Sequence, residues 1–219
     1  MPLLWRYDYK DMSVNAIIIM TGFCVAAYLL GAVPSGLILV KMTTRLDLRK
    51  VGSGNIGATN ARRAGGWPIG IATLICDVLK GAIPVALAGW MVDSGAGGLT
   101  RDLWMAAAAL CAFFGHLFPV YLKFKTGGKG VATAAGCFAV LSPVALGIAV
   151  TAFVLVAGFS RRVSAGSLAA AAVIPMGVAW FEGPYIIFGC ALIISVMVIR
   201  RHQANIRRLL MGLEPPLFP

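Results

Sequence analysis

Residues 14–40 form a run of 27 positions without one charged side chain. A helix crossing the hydrocarbon core of a bilayer takes about 20 residues, so this run is long enough to cross with some tilt or a break. It exceeds the roughly 7–15 residues of a signal-peptide core, and the segment before it mixes Arg6 and Lys10 with Asp8 and Asp11. An uncleaved first helix is the expectation. Further apolar runs follow at 67–92, 103–122, 130–160, 163–181 and 183–199. Only 12% of residues are charged, against about 25% in an ordinary soluble domain. This excludes intrinsic disorder and argues against a soluble globule. The five cysteines, Cys24, Cys76, Cys111, Cys137 and Cys190, lie singly within apolar runs and have neither disulfide nor zinc spacing. They read as small packing residues.

The net charge of +11 would suit a nucleic-acid binder, but the basic residues fall in short clusters between the apolar runs. That is the pattern of cytoplasmic loops, and no nucleic-acid partner is expected. The segment 41–63 carries Lys41, Arg45, Arg49, Lys50, Arg62 and Arg63; 123–129 carries Lys123, Lys125 and Lys129; the tail carries Arg200, Arg201, Arg207 and Arg208. The segment 93–102 has Arg101 against Asp93 and Asp102. The run 130–160 has Ser142 and Pro143 at its middle, which permits one kinked helix or two short ones. One crossing there would put Arg161, Arg162 and the basic tail outside; two crossings put them inside. The basic segments all agree only with two. The expectation is therefore an all-α polytopic membrane protein of seven helices, with a periplasmic N-terminus, a cytoplasmic C-terminus and a single domain over 1–219.

Three inside segments carry chemistry. The first, GSGNIGATNARR at 52–63, offers Gly52, Gly54 and Gly57 for close backbone approach to an oxyanion. Ser53, Asn55, Thr59 and Asn60 add neutral polar groups, and Arg62 and Arg63 add charge. It suits a phosphate, although GxxxxGK[ST] is absent; a flexible polar loop is the alternative. The second, KTGGKGVAT at 125–133, places Gly127 and Gly128 before Lys129 at a helix start, a ready anion site or a tight turn at the lipid phosphates. His116 upstream reads as a polar residue inside the bundle, fit for a supporting role. In the third, HQANIRRLLMGLE at 202–214, helical spacing puts His202, Asn205 and Arg208 on or near one face, with Ile206, Leu209 and Leu210 free to pack on the other. A basic end binding anionic headgroups is the alternative. Asp77 and Lys80 interrupt an apolar run at a spacing that predicts an i,i+3 ion pair. Neither an acidic metal cluster nor a Ser-His-Asp arrangement is legible, so binding and oxyanion stabilisation are expected to carry the reaction.

These three motifs, in this order, resemble those of the bacterial acyl-phosphate:glycerol-3-phosphate acyltransferases, the PlsY family. AVPSG (32–36), DLRKV (47–51), DVLKGAIPV (77–85) and GHLFPVYLKFK (115–125) are similar to family stretches as well. The resemblance implies seven helices in the bacterial inner membrane, with the motifs on the cytoplasmic face. It implies transfer of an acyl chain from acyl phosphate to the 1-hydroxyl of sn-glycerol 3-phosphate, without metal or other cofactor, giving lysophosphatidic acid and phosphate. It further implies a functional link to the enzyme that supplies acyl phosphate. Ser53, Asn55, Thr59 and Asn60, with Gly52, Gly54 and Gly57, match the segment of the acyl-phosphate group and reaction centre. Arg63, Lys129, His202, Asn205 and Arg208, with Gly127 and Gly128, match the segments that hold glycerol 3-phosphate. His202 is the expected base if a substrate phosphate does not take the hydroxyl proton. Two other classes explain part of the pattern: a transporter for an organic phosphate, which shows no inverted repeat here, and a structural membrane protein, which leaves the polar content of 52–60 unused.

Overall fold

The computed structural model describes residues 14–92, 98–183 and 185–216. Residues 1–13, read above as the lead-in to the first helix, and residues 93–97 of the segment containing Asp93 lie outside the described residues. All regular structure among the described residues is helical. The helices are α1 (Val14–Ala32), α2 (Ser35–Thr44), α3 (Ala58–Met91), α4 (Gly98–Leu117), α5 (Val131–Leu141), α6 (Pro143–Ser160), α7 (Val163–Phe181), α8 (Ile186–Arg201) and α9 (Gln203–Leu210), with 3-10 turns at Leu48–Lys50 and Val120–Leu122. Among the described residues, five spans are long and apolar enough to cross a membrane, or six if α8 and α9, bent by 57°, count as one. At 11 residues, α5 is about 16 Å long, short of the roughly 30 Å hydrocarbon core.

Proline and glycine set the breaks. The first run breaks at Val33 and Pro34, because proline cannot donate to the ladder and disfavours helix before it. Pro143 opens α6 at its first turn, where a missing N–H costs nothing. The run 130–160 is therefore two helices. Their ends show how the chain runs. Arg201 donates to the carbonyls of Gly127 and Gly128, and Ser164 donates to Glu214, so the 123–129 segment, the start of α7 and the tail share one end of the bundle. At the other end Ser142 donates to Glu182 over 2.8 Å, with Asp102 in electrostatic reach. Thus α5 leaves the basic end and α6 returns to it, placing Arg161 and Arg162 with the other basic segments.

Helix α3 contains a feature with no periodic signature. Gly66 adopts φ 85°, ψ 179°, a conformation that glycine alone takes without strain. The first turns of α3 fold back over its main body, so that Gly70 lies directly against Arg62 and the carbonyl of Ala58. This carries residues 52–63 over the bundle. The guanidinium of Arg62 stacks 4.5 Å above the exposed Trp67 ring at the bend.

The core lies between α3, α4, α5 and α8, around Phe113, Leu117, Phe138, Val85 and Ile194. Helices α3 and α5 touch through glycine: a Cβ on Gly81 would overlap the Thr133 carbonyl, and one on Gly136 the Val78 carbonyl. Small residues at crossings are how membrane helices gain close contact without a water-driven hydrophobic effect. The outer surface is apolar, with residues such as Ile18, Val154 and Phe159 bare. In water such a surface would aggregate; against lipid tails it is matched. Asp77 and Lys80 form the expected ion pair, 2.8 Å apart and buried. Helix α9 departs from expectation on its apolar side: Leu210 is 84% exposed rather than packed.

Candidate active site

The motifs surround one cavity of about 970 Å³ whose lining is mostly apolar. Gly52, Ser53, Asn55, Gly57, Thr59, Asn60 and Arg63 line it from the first motif, Lys129 from the second, and His202, Asn205 and Arg208 from the third. Gly54, Gly127 and Gly128 stand outside the lining. Away from the motifs the cavity continues between Val150, Phe153, Val154, Ala170, Ile174 and Ile194, a groove of hydrocarbon character.

The first motif loop is built around the side chain of Asn60, which is 2% exposed. Its amide nitrogen lies 2.9–3.1 Å from the carbonyls of Leu48, Val51 and Asn55, and its Oδ1 accepts the Ser53 N–H at 3.1 Å. Gly54 N–H donates to Val51 and Gly57 N–H to the Asn55 side chain. The N–H groups of Ser53, Gly54 and Gly57 are thus spent inside the loop. These three amides are not available to an anion, which narrows the expectation that the backbone of 52–57 approaches an oxyanion. The same bonding changes the part assigned to Asn60: its polar atoms face the loop backbone, because three carbonyls in a tight turn need a donor and a buried amide supplies it. Gly52 and Gly54 serve the turn through positive φ, 55° and 69°.

The second loop is shaped by packing. Gly128 N–H donates to the His116 carbonyl at 3.1 Å, and the two glycine carbonyls accept from Arg201 at 2.8 and 3.1 Å. A Cβ on Gly127 would overlap the Leu117 carbonyl oxygen, and one on Gly128 the His116 ring. What the structure shows of Gly127 and Gly128 is packing: without side chains they let the loop lie close against Leu117 and His116, next to Lys129. Arg201, read from the sequence only as a topology residue, clamps that loop, a contact across 73–74 residues that no local pattern announces.

Glu214 was also missed. Its carboxylate accepts from Ser164 at 2.7 Å, Asn205 at 2.6 Å and Arg208 Nε at 2.7 Å. Burial alone would raise its pKa, but these three bonds outweigh that and hold it below the usual value. Asn205 and Arg208 therefore reach the cavity already braced, with the terminal nitrogens of Arg208 left for an anion. The local reason is the left-handed turn at Gly212, φ 71°, which brings the chain back over α9. His202 sits at the bend between α8 and α9, 2% exposed, with Nδ1 2.8 Å from the Val198 carbonyl. A carbonyl only accepts, so Nδ1 carries the proton and Nε2 keeps a lone pair.

Lys129 stands where Arg63, Arg201 and Arg208 all act on it. Burial first, then these neighbouring cations, lower its pKa to about 8, with Glu214 opposing. If the ammonium form holds a phosphate substrate, the KM for that substrate should be flat below pH 8 and climb above it, approaching tenfold per pH unit. A bound phosphate raises the lysine pKa, so the substrate complex should titrate at higher pH than the free site. Lys129→Arg, which stays charged, should flatten this profile in initial-rate measurements between pH 6.5 and 9.5.

Cations at the head of an apolar groove suit a ligand with a phosphate and a hydrocarbon tail. Residues 21–212 match the family described as glycerol-3-phosphate acyltransferase. This chain belongs to that family. The glycerol-3-phosphate acyltransferase of Syntrophotalea carbinolica is 49% identical over 198 residues, covering 89% of this chain and 97% of the relative. That of Geobacter sulfurreducens is 45% identical, covering 86% and 92%. The crystal structure of PlsY, an integral membrane glycerol 3-phosphate acyltransferase, in its glycerol 3-phosphate form is similar to this fold with a TM-score of 0.83 and 33% identity, over 90% of this chain and 95% of that one. The lysophosphatidic acid form of the same enzyme gives 0.81 and 32%. The chain is thus a multi-pass membrane acyltransferase of PlsY type, and most of its motif residues line one cavity.

Proposed function

We propose that the chain transfers an acyl group from acyl phosphate to the 1-hydroxyl of sn-glycerol 3-phosphate. The products are lysophosphatidic acid and inorganic phosphate, and no cofactor takes part. The reaction runs on the cytoplasmic face of the bacterial inner membrane, in a chain of seven crossings with its N-terminus outside, fed by an enzyme that makes acyl phosphate. The observation that carries this reading is the cation cluster of Arg63, Lys129 and Arg208 at the mouth of a hydrocarbon-lined cavity of about 970 Å³. The cluster offers more charge than one phosphate needs, and the groove offers the acyl chain a place against lipid-like walls.

In this reading the two phosphates lie side by side and the acceptor hydroxyl points at the acyl carbonyl. The hydroxyl oxygen attacks the carbonyl carbon, and its proton passes to a phosphate oxygen. The tetrahedral intermediate then collapses, the bond from carbon to the phosphate oxygen breaks, and phosphate leaves. Ser53 and Asn55, held by the Asn60-centred loop, face the developing oxyanion, and the cations keep the anionic partners together. His202 Nε2 keeps a lone pair that accepts a hydrogen bond from the other hydroxyl of the acceptor and so aims the attacking one. If phosphate is the base, His202→Gln should lower kcat by about tenfold, the cost of one lost positioning hydrogen bond, whereas loss of a general base costs about 10²–10⁴-fold.

The donor is tested by offering acyl phosphate, acyl-CoA and acyl carrier protein in turn to purified protein with glycerol 3-phosphate. Lysophosphatidic acid from acyl phosphate alone supports the reading. Equal product from acyl-CoA would overturn it.

A further inference from the structure

Against the Lys129 loop lies a buried polar cluster that the transfer steps above do not use, and two of its members, Asp77 and His116, also line the cavity. Asp77, Lys80 and His116 are 2%, 4% and 4% exposed. Asp77 Oδ1 lies 2.8 Å from Lys80 Nζ and 3.8 Å from His116 Nδ1. Lys80 Nζ donates at 2.9 Å to the Val33 carbonyl, which also accepts from the Ser35 N–H, at the break between α1 and α2. Ionisable groups at this depth are costly unless they pair or serve a function. The pairing of Asp77 and Lys80 accounts for two of them. It does not account for the imidazole, whose Nδ1 has no hydrogen bond within the protein.

The other edge of that ring supplies the reason. Its Nε2 side lies flat against the Cα of Gly128, the residue before Lys129. Arg201 grips the same loop through the Gly127 and Gly128 carbonyls. The loop thus touches both a guanidinium and an imidazole, and the Nδ1 edge of the imidazole faces Asp77, itself paired with Lys80.

We propose that His116 is a positioning residue: seated by the Asp77–Lys80 pair, it sets the height of the Lys129 loop and thereby places the ammonium that binds glycerol 3-phosphate. This rests on the reading of Lys129 as a phosphate ligand. The packing explains why Gly128 bears no side chain although its backbone does not lie in the left-handed region. It also explains why three elements distant in sequence, α1, α3 and α4, are tied together beside this loop.

The test is a double-mutant cycle read by calorimetric binding of glycerol 3-phosphate to purified protein without any acyl donor. Binding without a donor keeps the outcome separate from the donor assignment. Gly128→Ala should raise the Kd at least tenfold, since its new methyl meets the ring. His116→Ala and the milder His116→Asn should each raise it a few-fold. Gly128→Ala combined with either should bind several-fold tighter than Gly128→Ala alone, because the space has been cleared. Gly127→Ala, whose obstacle is the Leu117 carbonyl, should gain nothing from either His116 variant. Asp77→Asn should weaken binding in the parent and by less than twofold more when His116 is alanine. Thermal unfolding in parallel identifies the variants that are folded, and the Asn series stands in where an Ala variant is not. Effects of Gly128 and His116 that simply multiply, or equal rescue of Gly127→Ala, would overturn the proposal.

Discussion

Lys129→Ala is expected to lower kcat/KM by about 10²–10³-fold, most of it as a higher KM for glycerol 3-phosphate. The ammonium is partly buried and ringed by Arg63, Arg201 and Arg208, which repel it while the site is empty. A bound phosphate relieves that repulsion, so the charge does more there than at an exposed loop. Removing one partner of a desolvated, hydrogen-bonded charge pair costs about 2–5 kcal/mol, which brackets the stated loss. Lys129→Arg should fall between parent and alanine, since a planar fork cannot occupy the site of a compact ammonium. Stability should change little, because Lys129 makes no ion pair among the described residues. A Lys129→Ala protein with unaltered KM would show that this loop binds no substrate phosphate.

Asn60→Ala should have the second large effect, of a different kind. Its amide serves three backbone carbonyls and one N–H of the 48–55 turn, deep in a buried position. Each buried polar group left unpaired costs about 1–3 kcal/mol, enough to let this turn open locally. The helical bundle does not depend on it, so the main unfolding transition should move by only a few degrees. Ser53 and Asn55 would lose their placement, and kcat should fall by about 10²-fold with a smaller change in KM, since Lys129 and Arg208 sit on other elements. Asn60→Asp is the sharper variant: it can still accept from Ser53 but cannot donate to any carbonyl, so it should be as impaired as alanine. A normally active Asn60→Asp enzyme would contradict this account of the loop.

The two roles separate what the sequence discloses from what it hides. Periodicity and charge disclose the apolar runs that become helical, the break at Ser142 and Pro143, the common end of the basic segments and the Asp77–Lys80 pair, because each is a local signal or a simple sum of charges. The three motifs disclose which residues meet. They do not disclose how each one works. Asn60 looks like a ligand in the motif and is a brace in the fold, since its partners span 5–12 residues of irregular turn. Gly127 and Gly128 look like an anion nest, and the motif does not announce that they are also contact points for Leu117 and His116. Glu214 closes a loop over α9 through one left-handed glycine, and Arg201 reaches back across more than seventy residues. Such contacts follow from packing in three dimensions and leave no period in one. The fold-back at Gly66 is hidden for the same reason: the glycine is visible, but its φ is not.

The most direct test of the central claim is the coupling between phosphate release and acyl transfer. Purified protein in detergent receives acyl phosphate with and without glycerol 3-phosphate, and phosphate and lysophosphatidic acid are counted together. The account predicts one phosphate per lysophosphatidic acid and almost no phosphate without the acceptor, because the cation cluster assembles both substrates before the carbonyl is attacked. Rapid phosphate release in the absence of glycerol 3-phosphate, with little lysophosphatidic acid when it is added, would mean that the site hydrolyses its donor and that the paired-phosphate arrangement is wrong.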